Sequence, residues 1–305
     1  MTHVALALMY LLHYLPLALL APIGRALGLV GYALARERRR VGLTNLRLCF
    51  PALSETERRR LVRRHFQAFA RAVLERSILW WSSKERILRI VRIEGLEHWQ
   101  AVAHSPVIWL VPHFVGLDMA GSRLAAEWRA ASMYSHQKNA TLDAVLYKGR
   151  TRFVMPRLVS RQEGIRSVVR VIREGLPFYY LPDMDFGPRD SVFVPFFGVP
   201  TATITGLSRV ARVARAVVVP LVTRQLPGGK GYVIQFYPAW TDFPTGDDEA
   251  DARRMNAFIE ERVLEMPEQY HWLHKRFKTR PPGAKPVYES VGVETASGQN
   301  AFESL

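Results

Sequence analysis

Apolar and polar positions along this chain fall into stretches of two different periods. From Val4 to Ile23, twenty consecutive residues include no Asp, Glu, Lys or Arg, and beyond Arg25 a second apolar stretch runs to Ala35. Twenty residues is about the length of a bilayer-crossing helix. His13, Pro16 and Pro22 interrupt the run, so a helix lying in the membrane interface is the competing expectation. Ser54-Glu-Thr-Glu57 reads as a capping box, after which Leu61, His65/Phe66, Phe69 and Val73 recur at helical spacing. Further on, residues 89–98 suggest a short strand and turn. Runs of strand length follow at 107–111, 178–181, 216–219 and 232–236. Helical patterns separate them: from Leu117 to about Trp128, over Ile165, Val168, Val169 and Ile172 with Gly175 closing, over roughly 203–215, and from Asp251 to about Glu265. Strands alternating with helices predict an α/β layer architecture. From Pro281 the chain is polar and unpatterned. The organisation expected is a membrane anchor over 1–35, one domain over 36–283 and a flexible tail over 284–305.

Charge sharpens the first segment. The formal charge is +15, and residues 1–92 hold seventeen Lys/Arg against five Asp/Glu, or +12 of it. Arg36-Glu-Arg-Arg-Arg40 follows the apolar stretches, where it suits anionic headgroups on the cytoplasmic side. Arg58, Arg59, Arg60, Arg63 and Arg64 lie between the apolar positions of the next helix, as a solvated face or a surface against anionic lipid. No basic region precedes the apolar core, so a cleaved signal peptide fits poorly. The single cysteine, Cys49, excludes an intrachain disulfide and a cysteine-rich zinc site.

Candidate chemistry lies where strands end, the usual ligand rim of open α/β sheets. The run 107–111 leads into His113, and Asp118 follows five positions later. In one helix a separation of five turns two side chains roughly 140° apart. With His113 in the turn after a strand and Asp118 opening a helix, they can converge as base and orienting carboxylate, although a strand-end histidine also serves structure alone. After 178–181 comes Pro182-Asp183-Met-Asp185, whose carboxylates could bind a metal, orient a hydroxyl or pin their own loop; no further acidic cluster completes an oxygen shell. Gln137-Lys138-Asn139 to Asp143, with Lys148-Gly149-Arg150, suits phosphate or sugar recognition, or is a solvated helix face. Ser191 to Gly198, with Phe193, Phe196 and Phe197, reads as an apolar loop that caps a core or lines an acyl groove.

These residues together resemble the late acyltransferases of lipid A biosynthesis, the lauroyl and myristoyl transferases acting on Kdo-lipid IV-A. The matching pieces are Arg40-Val-Gly-Leu-Thr-Asn45-Leu-Arg-Leu-Cys49-Phe-Pro51, His113-x4-Asp118, Lys138-Asn139-x3-Asp143, Gly149-Arg150, Pro182 to Arg189 with Ser191 to Pro195, and Glu268-Gln-Tyr-His-Trp272 to Pro281. The resemblance implies a glycerolipid-acyltransferase-like mixed sheet flanked by helices, with an N-terminal membrane-anchoring helix at the cytoplasmic face of the bacterial inner membrane. It implies an acyl carrier protein thioester as donor and, as acceptor, a hydroxyl of a 3-hydroxyacyl chain on the lipid A precursor. His113 becomes the general base and Asp118 its orienting partner, where many relatives carry glutamate. Lys138, Asn139, Asp143, Arg150, Asp183, Asp185 and Arg189 become substrate-binding residues. No cofactor and no metal are expected, and the partners are acyl carrier protein, lipid A precursor and anionic membrane lipids.

No Gly-x-Ser-x-Gly elbow is present and Cys49 lies far from His113 in sequence, which favours direct transfer over an acyl-enzyme. The rivals are an acyltransferase for another phospholipid or glycolipid acceptor, such as a lysophospholipid or a phosphoinositol mannoside, and a non-catalytic lipid-binding membrane protein. Nucleic acid, the other anion that a basic chain could bind, is disfavoured by the apolar N-terminus.

Overall fold

The apolar run of residues 4–23 is not one helix. In the computed structural model, which describes residues 2–153, 157–160 and 163–288, α1 (Thr2–Leu12) ends before Pro16, and α2 (Leu17–Leu34) starts after it. Proline lacks an N–H and keeps the preceding residue out of the helical region, so the break falls where the sequence places Pro16. The second helix is long and apolar enough to cross a membrane by length and composition. It turns Leu17, Leu20, Ala21, Gly24 and Gly28 inward. A Cβ on Gly24 or Gly28 would lie 2.5 Å from the Cα of Arg71 or Gln67, so the two glycines allow α2 to lie flush on α4 (Glu55–Trp81). Its outward face carries exposed Leu19, Ile23, Leu27, Val30 and Leu34. α2 is thus apolar both toward the protein and away from it.

Between them, α3 (Arg36–Cys49) carries the first arginine cluster, and the capping box forms as the sequence predicts. Glu57 N donates to Ser54 Oγ at 3.3 Å, and Ser54 N donates to Glu57 Oε2 at 2.7 Å. Arg59, Arg60, Arg63 and Arg64 are exposed on α4, while Val62, His65 and Phe66 are buried.

Among the described residues, a seven-stranded sheet forms the body. Its strands are β1 (Val91–Glu94), β2 (Val107–Leu110), β3 (Ala131–Tyr134), β4 (Arg157–Ser160), β5 (Phe178–Tyr180), β8 (Val217–Gln225) and β9 (Tyr232–Phe236), in the order β1-β9-β8-β2-β5-β3-β4. All neighbours are parallel except β8 and β9. Ile108 and Leu110 of β2 face one apolar layer, with α9 (Gly164–Arg173), α10 (Gly206–Ala214) and α11 (Asp248–Glu265). Val107, Trp109 and Val111 face the other, with α4 and α7 (Leu117–Ala125). Such double burial is why β2 reads as an unbroken apolar run rather than an alternating one. Short helices α5 (Lys84–Ile90) and α6 (Leu96–Gln100) flank β1, and α8 (Ala140–Thr151) joins β3 to β4.

Ser191 to Gly198 is not a loop. β6 (Ser191–Phe196) and β7 (Val199–Ile204) pair antiparallel around Phe197-Gly198, both at positive φ (49° and 75°). Two successive positive-φ residues make the turn that suits a two-residue hairpin. Pro195 and a left-handed Phe197 hide that signal from the sequence. The helix expected over 203–215 accordingly begins only at Gly206. Of the expected tail over 284–305, residues 289–305 lie outside the described residues. Val287 and Tyr288 pack against the core, and Phe277 N donates to Tyr288 Oη at 3.1 Å.

Candidate active site

Register brings the two strand-end motifs together. β2 and β5 are parallel neighbours with Leu110 opposite Tyr180. Three residues beyond each lie His113 and Asp183. His113 Nδ1 is 2.6 Å from Asp183 Oδ1, and His113 N donates to Asp183 Oδ2 at 2.9 Å. The carboxylate accepts, so Nδ1 carries the proton and Nε2 is left as the basic nitrogen. Asp183 is buried to 1% and the His113 ring is 17% exposed. Burial pushes the Asp183 pKa up, but His113 and Arg276 outweigh it and hold the carboxyl below its ordinary value.

Asp118, expected to orient the imidazole, takes other partners. His113 lies outside any helix and Asp118 in the first turn of α7, as the spacing requires. There Asp118 Oδ2 accepts from Arg76 Nε of α4 at 2.7 Å, and its Oδ1 faces Arg150 Nη2 of α8 at 3.4 Å. Burial raises the Asp118 pKa, and the two arginines, with His113, bring it below normal. The first turn of α7 faces α4 and α8, the sources of these arginines, whereas β5 delivers Asp183 directly to the imidazole. A Cβ on Gly116 would lie 2.7 Å from Thr223 Cγ2, so the turn between His113 and Asp118 presses close against β8.

His113, Asp118, Arg76 and Arg150 line a cavity of about 240 Å³ whose walls include Leu79, Trp80, Leu124, Ala125, Leu146 and Tyr179. Tyr179 Oη donates to Leu117 O at 2.7 Å and fixes the start of α7. A Cβ on Gly149 would sit 2.5 Å from Trp80 Cδ1. Gly149 therefore lets α8 close on α4, which sets Arg150 beside Asp118.

Asn139, Asp143 and Asp185, also expected to meet substrate, hold turns and loops of their own. Asn139 caps α8 by accepting from Leu142 N at 3.1 Å. Asp143 accepts from Gln137 N at 2.7 Å and also binds Tyr134 and His136, pinning the β3–α8 turn. Burial raises its pKa, and these donors bring it down to about 2. Asp185 ties its loop to the segment after Phe277, accepting from Thr279 N and Oγ1 at 2.7 Å each and from Gly187 N at 2.9 Å. Lys138 and Arg189 are exposed on turns. Phe193, Phe196 and Phe197, expected to form an acyl groove, do not line the cavity beside His113. Phe196 is fully buried against Tyr270 and Phe277, and Phe197 packs on Phe50. Sequence reasoning missed Arg76, Trp80 and Tyr179. Arg76 continues the basic side of a helix already legible, but its aim at Asp118 depends on contacts between distant segments.

The structure thus places a histidine–carboxylate pair at the rim of a mostly parallel sheet, beside an apolar cavity. The chain belongs to the bacterial lipid A biosynthesis acyltransferases, whose family model matches residues 1–279. It is 34% identical to the lipid A biosynthesis lauroyltransferase of Escherichia coli K12, over 94% of each chain. It is 37% identical to the lipid A biosynthesis myristoyltransferase of the same organism, over 89% of this chain and 83% of that one. Among solved structures it is similar to the 1-acyl-sn-glycerophosphate acyltransferase PlsC of Thermotoga maritima, at TM-score 0.38 and 14% identity, covering 75% of this chain and 97% of that one.

Proposed function

We propose that this protein transfers an acyl chain from an acyl carrier protein thioester to a hydroxyl of a 3-hydroxyacyl chain on a lipid A precursor such as Kdo-lipid IV-A. The product is an acyloxyacyl group. The observation that carries the reading is the Asp183-held imidazole of His113 at an apolar cavity. An alcohol attacks a thioester poorly unless its proton is removed as the bond forms. His113 Nε2 takes that proton while the acceptor oxygen bonds to the thioester carbonyl carbon, and Asp183 stabilises the resulting imidazolium. Collapse breaks the carbon–sulfur bond, and the imidazolium returns the proton to the departing thiolate. Backbone N–H groups near Gly116, at the start of α7, and the Arg150 guanidinium supply charge for the oxyanion. The cavity holds the acyl chain. Asp118 keeps Arg76 and Arg150 at its mouth.

Burial pushes the thiol pKa of Cys49 far up, which suits direct transfer rather than an acyl-enzyme. The exposed apolar face of α2, followed by the arginines of α3, supports attachment to anionic lipid at the cytoplasmic face of the inner membrane, with α2 lying on the body as an interfacial helix. The similar lauroyl and myristoyl transferases favour the lipid A acceptor over a lysophospholipid or another glycolipid.

The test is turnover by purified protein with lauroyl-acyl carrier protein and Kdo-lipid IV-A. His113→Ala is expected to lower kcat by about 10²–10⁴-fold with folding and membrane association intact. Near-normal turnover would remove His113 from the chemistry.

A further inference from the structure

Residues 93–305 carry a net charge of only +3, yet six of their arginines are gathered on two neighbouring helices. Arg166, Arg170 and Arg173 follow one another at spacings of four and three along α9, which sets them in one stripe. Arg209 and Arg212 of α10 are three apart, and Arg215 caps that helix. All six are exposed, and exposed Ile165 and Val213 lie among them. Val168 and Ile172 of α9, with Val210 and Ala214 of α10, turn inward onto the sheet. Arg173 Nη2 donates to Val213 O at 2.5 Å and holds the two helices side by side. Acidic side chains stand at the margin. Asp190 accepts from Arg209 Nη1 at 2.7 Å, and Asp248 faces Arg212 Nη2 at 3.4 Å. Exposed pairs of this kind are weak, so a partner's carboxylates can take their place. Glu163 is turned back to Ser160 N at 2.7 Å, and Glu174 lies at the C-cap of α9.

We infer that the arginine face of α9 and α10 is the docking surface for the donor, an acidic acyl carrier protein whose carboxylates meet the two stripes. The inference rests on the reading of a carrier-protein thioester as the acyl donor. Charge complementarity of this kind steers association and sets the register of two surfaces. The surface also lies where a donor is needed. α9 leads into β5 and α10 into β8, and both strands are parallel neighbours of β2. Each helix therefore begins at the strand-end rim that holds His113 and Asp183. The loop that leaves Asp183 returns to the start of α10, where Thr205 N donates to Asp190 O at 3.0 Å. A carrier seated on the arginines stands beside that rim, and its flexible prosthetic arm carries the thioester over it to His113. Lipid is the other anion to weigh. Leu17 and Leu20 of α2 pack in the opposite layer, with Trp109 and Val219. A bilayer that holds the apolar outer face of α2 thus lies across the sheet from the arginines.

The experiment compares the full-length parent with Arg166→Glu/Arg170→Glu, using lauroyl-acyl carrier protein and Kdo-lipid IV-A. Binding of the lauroyl carrier is measured alongside turnover, without acceptor. The double reversal is expected to raise both KM and Kd for the carrier about tenfold or more. KM for Kdo-lipid IV-A and kcat at saturating donor should stay within about twofold of the parent. Salt should weaken the parent's hold on the carrier more steeply than the variant's. Arg59→Glu/Arg63→Glu on α4 makes the same change of charge elsewhere and should leave the donor KM alone. Both variants replace exposed side chains, and thermal midpoints equal to the parent's confirm the fold. Donor KM and Kd unchanged by the α9 reversal, or raised as much by the α4 reversal, would overturn the inference. So would an α9 variant that no longer sediments with phosphatidylglycerol–phosphatidylethanolamine vesicles yet uses the carrier as the parent does, since the face would then be a lipid contact. A parent that turns over with lauroyl-coenzyme A but neither binds nor uses the carrier would refute the donor itself, and the inference with it. The failure of the surface and the failure of the donor are thereby told apart.

Discussion

Asp183 receives both the main-chain N–H and the ring Nδ1–H of His113, so one buried carboxylate fixes the backbone and the side chain of the same histidine. A residue gripped in this way can neither slide along its turn nor rotate its ring without losing a charge-assisted hydrogen bond. Asp118, five residues from His113, spends its two oxygens on Arg76 and Arg150.

The two carboxylates should therefore separate in pH dependence. Asp183→Asn keeps an acceptor for the ring but removes the charge that stabilises the imidazolium. The expected result is a fall in kcat of about 10²–10⁴-fold, with the acidic limb of kcat/KM moved to lower pH. Asp118→Asn should move that limb by less, since its charge reaches His113 only through space. Rate measurements across pH on both variants check the assignment, and the reverse order of shifts contradicts it.

Gly149 is expected to be the least replaceable glycine of the cavity wall. Alanine there overpacks Trp80, at about 1–3 kcal/mol, against about 1 kcal/mol gained in helix propensity. A net loss of about 1 kcal/mol in denaturant unfolding should accompany weaker acyl transfer, because α8 carries Arg150 away from Asp118. Parent-like stability together with parent-like activity would show that Trp80 moves aside freely.

Stability should rise with pH between about 4 and 6.5. Burial lowers the pKa of His65 to about 4 and that of His274 to about 3, and it lowers His271 as well, with help from neighbouring positive charge. In the unfolded chain these histidines bind protons below about 6.5. The unfolded state then holds more protons than the folded one, so acid favours unfolding. Each such group contributes up to about 1.4 kcal/mol per pH unit. His65→Asn keeps a donor for Glu268 O, which Nδ1 of His65 contacts at 2.9 Å, and should flatten the slope by about one proton. Unfolding free energies at pH 7.5 and 5.0 measure this, and an unchanged slope contradicts it.

Much of this was legible from residue order. Double-sided burial makes β2 and β5 read as apolar runs, and the ends of those runs pointed to His113 and Asp183. The capping box at Ser54 and the placement of Asp118 at a helix start follow from local rules. What escaped were relations between distant segments. Strand order sets Asp183 on His113, and nothing near Asp118 announces Arg76, 42 positions earlier. β3 is four residues, Ala-Ser-Met-Tyr, with no β-branched side chain to mark it. Phe196 and Phe197 of the aromatic hairpin pack into the core, and composition alone cannot distinguish such residues from the lining of a groove. Asp143 and Asp185 show the same ambiguity, since a carboxylate that pins a loop and one that meets a substrate look alike in sequence.

Activation of a lipid A hydroxyl by His113 for direct acyl transfer would leave its record in lipid A itself. Mass spectrometry of lipid A tests it most directly, comparing cells that carry the gene, cells lacking it, and cells given back either the parent or His113→Ala. Loss of the gene should remove the mass of one acyl chain, the parent should restore it, and His113→Ala, present at equal level, should not. Fragmentation should place the missing chain in ester linkage on a 3-hydroxyacyl group. Lipid A of unchanged mass without the gene, or full restoration by His113→Ala, would contradict the claim.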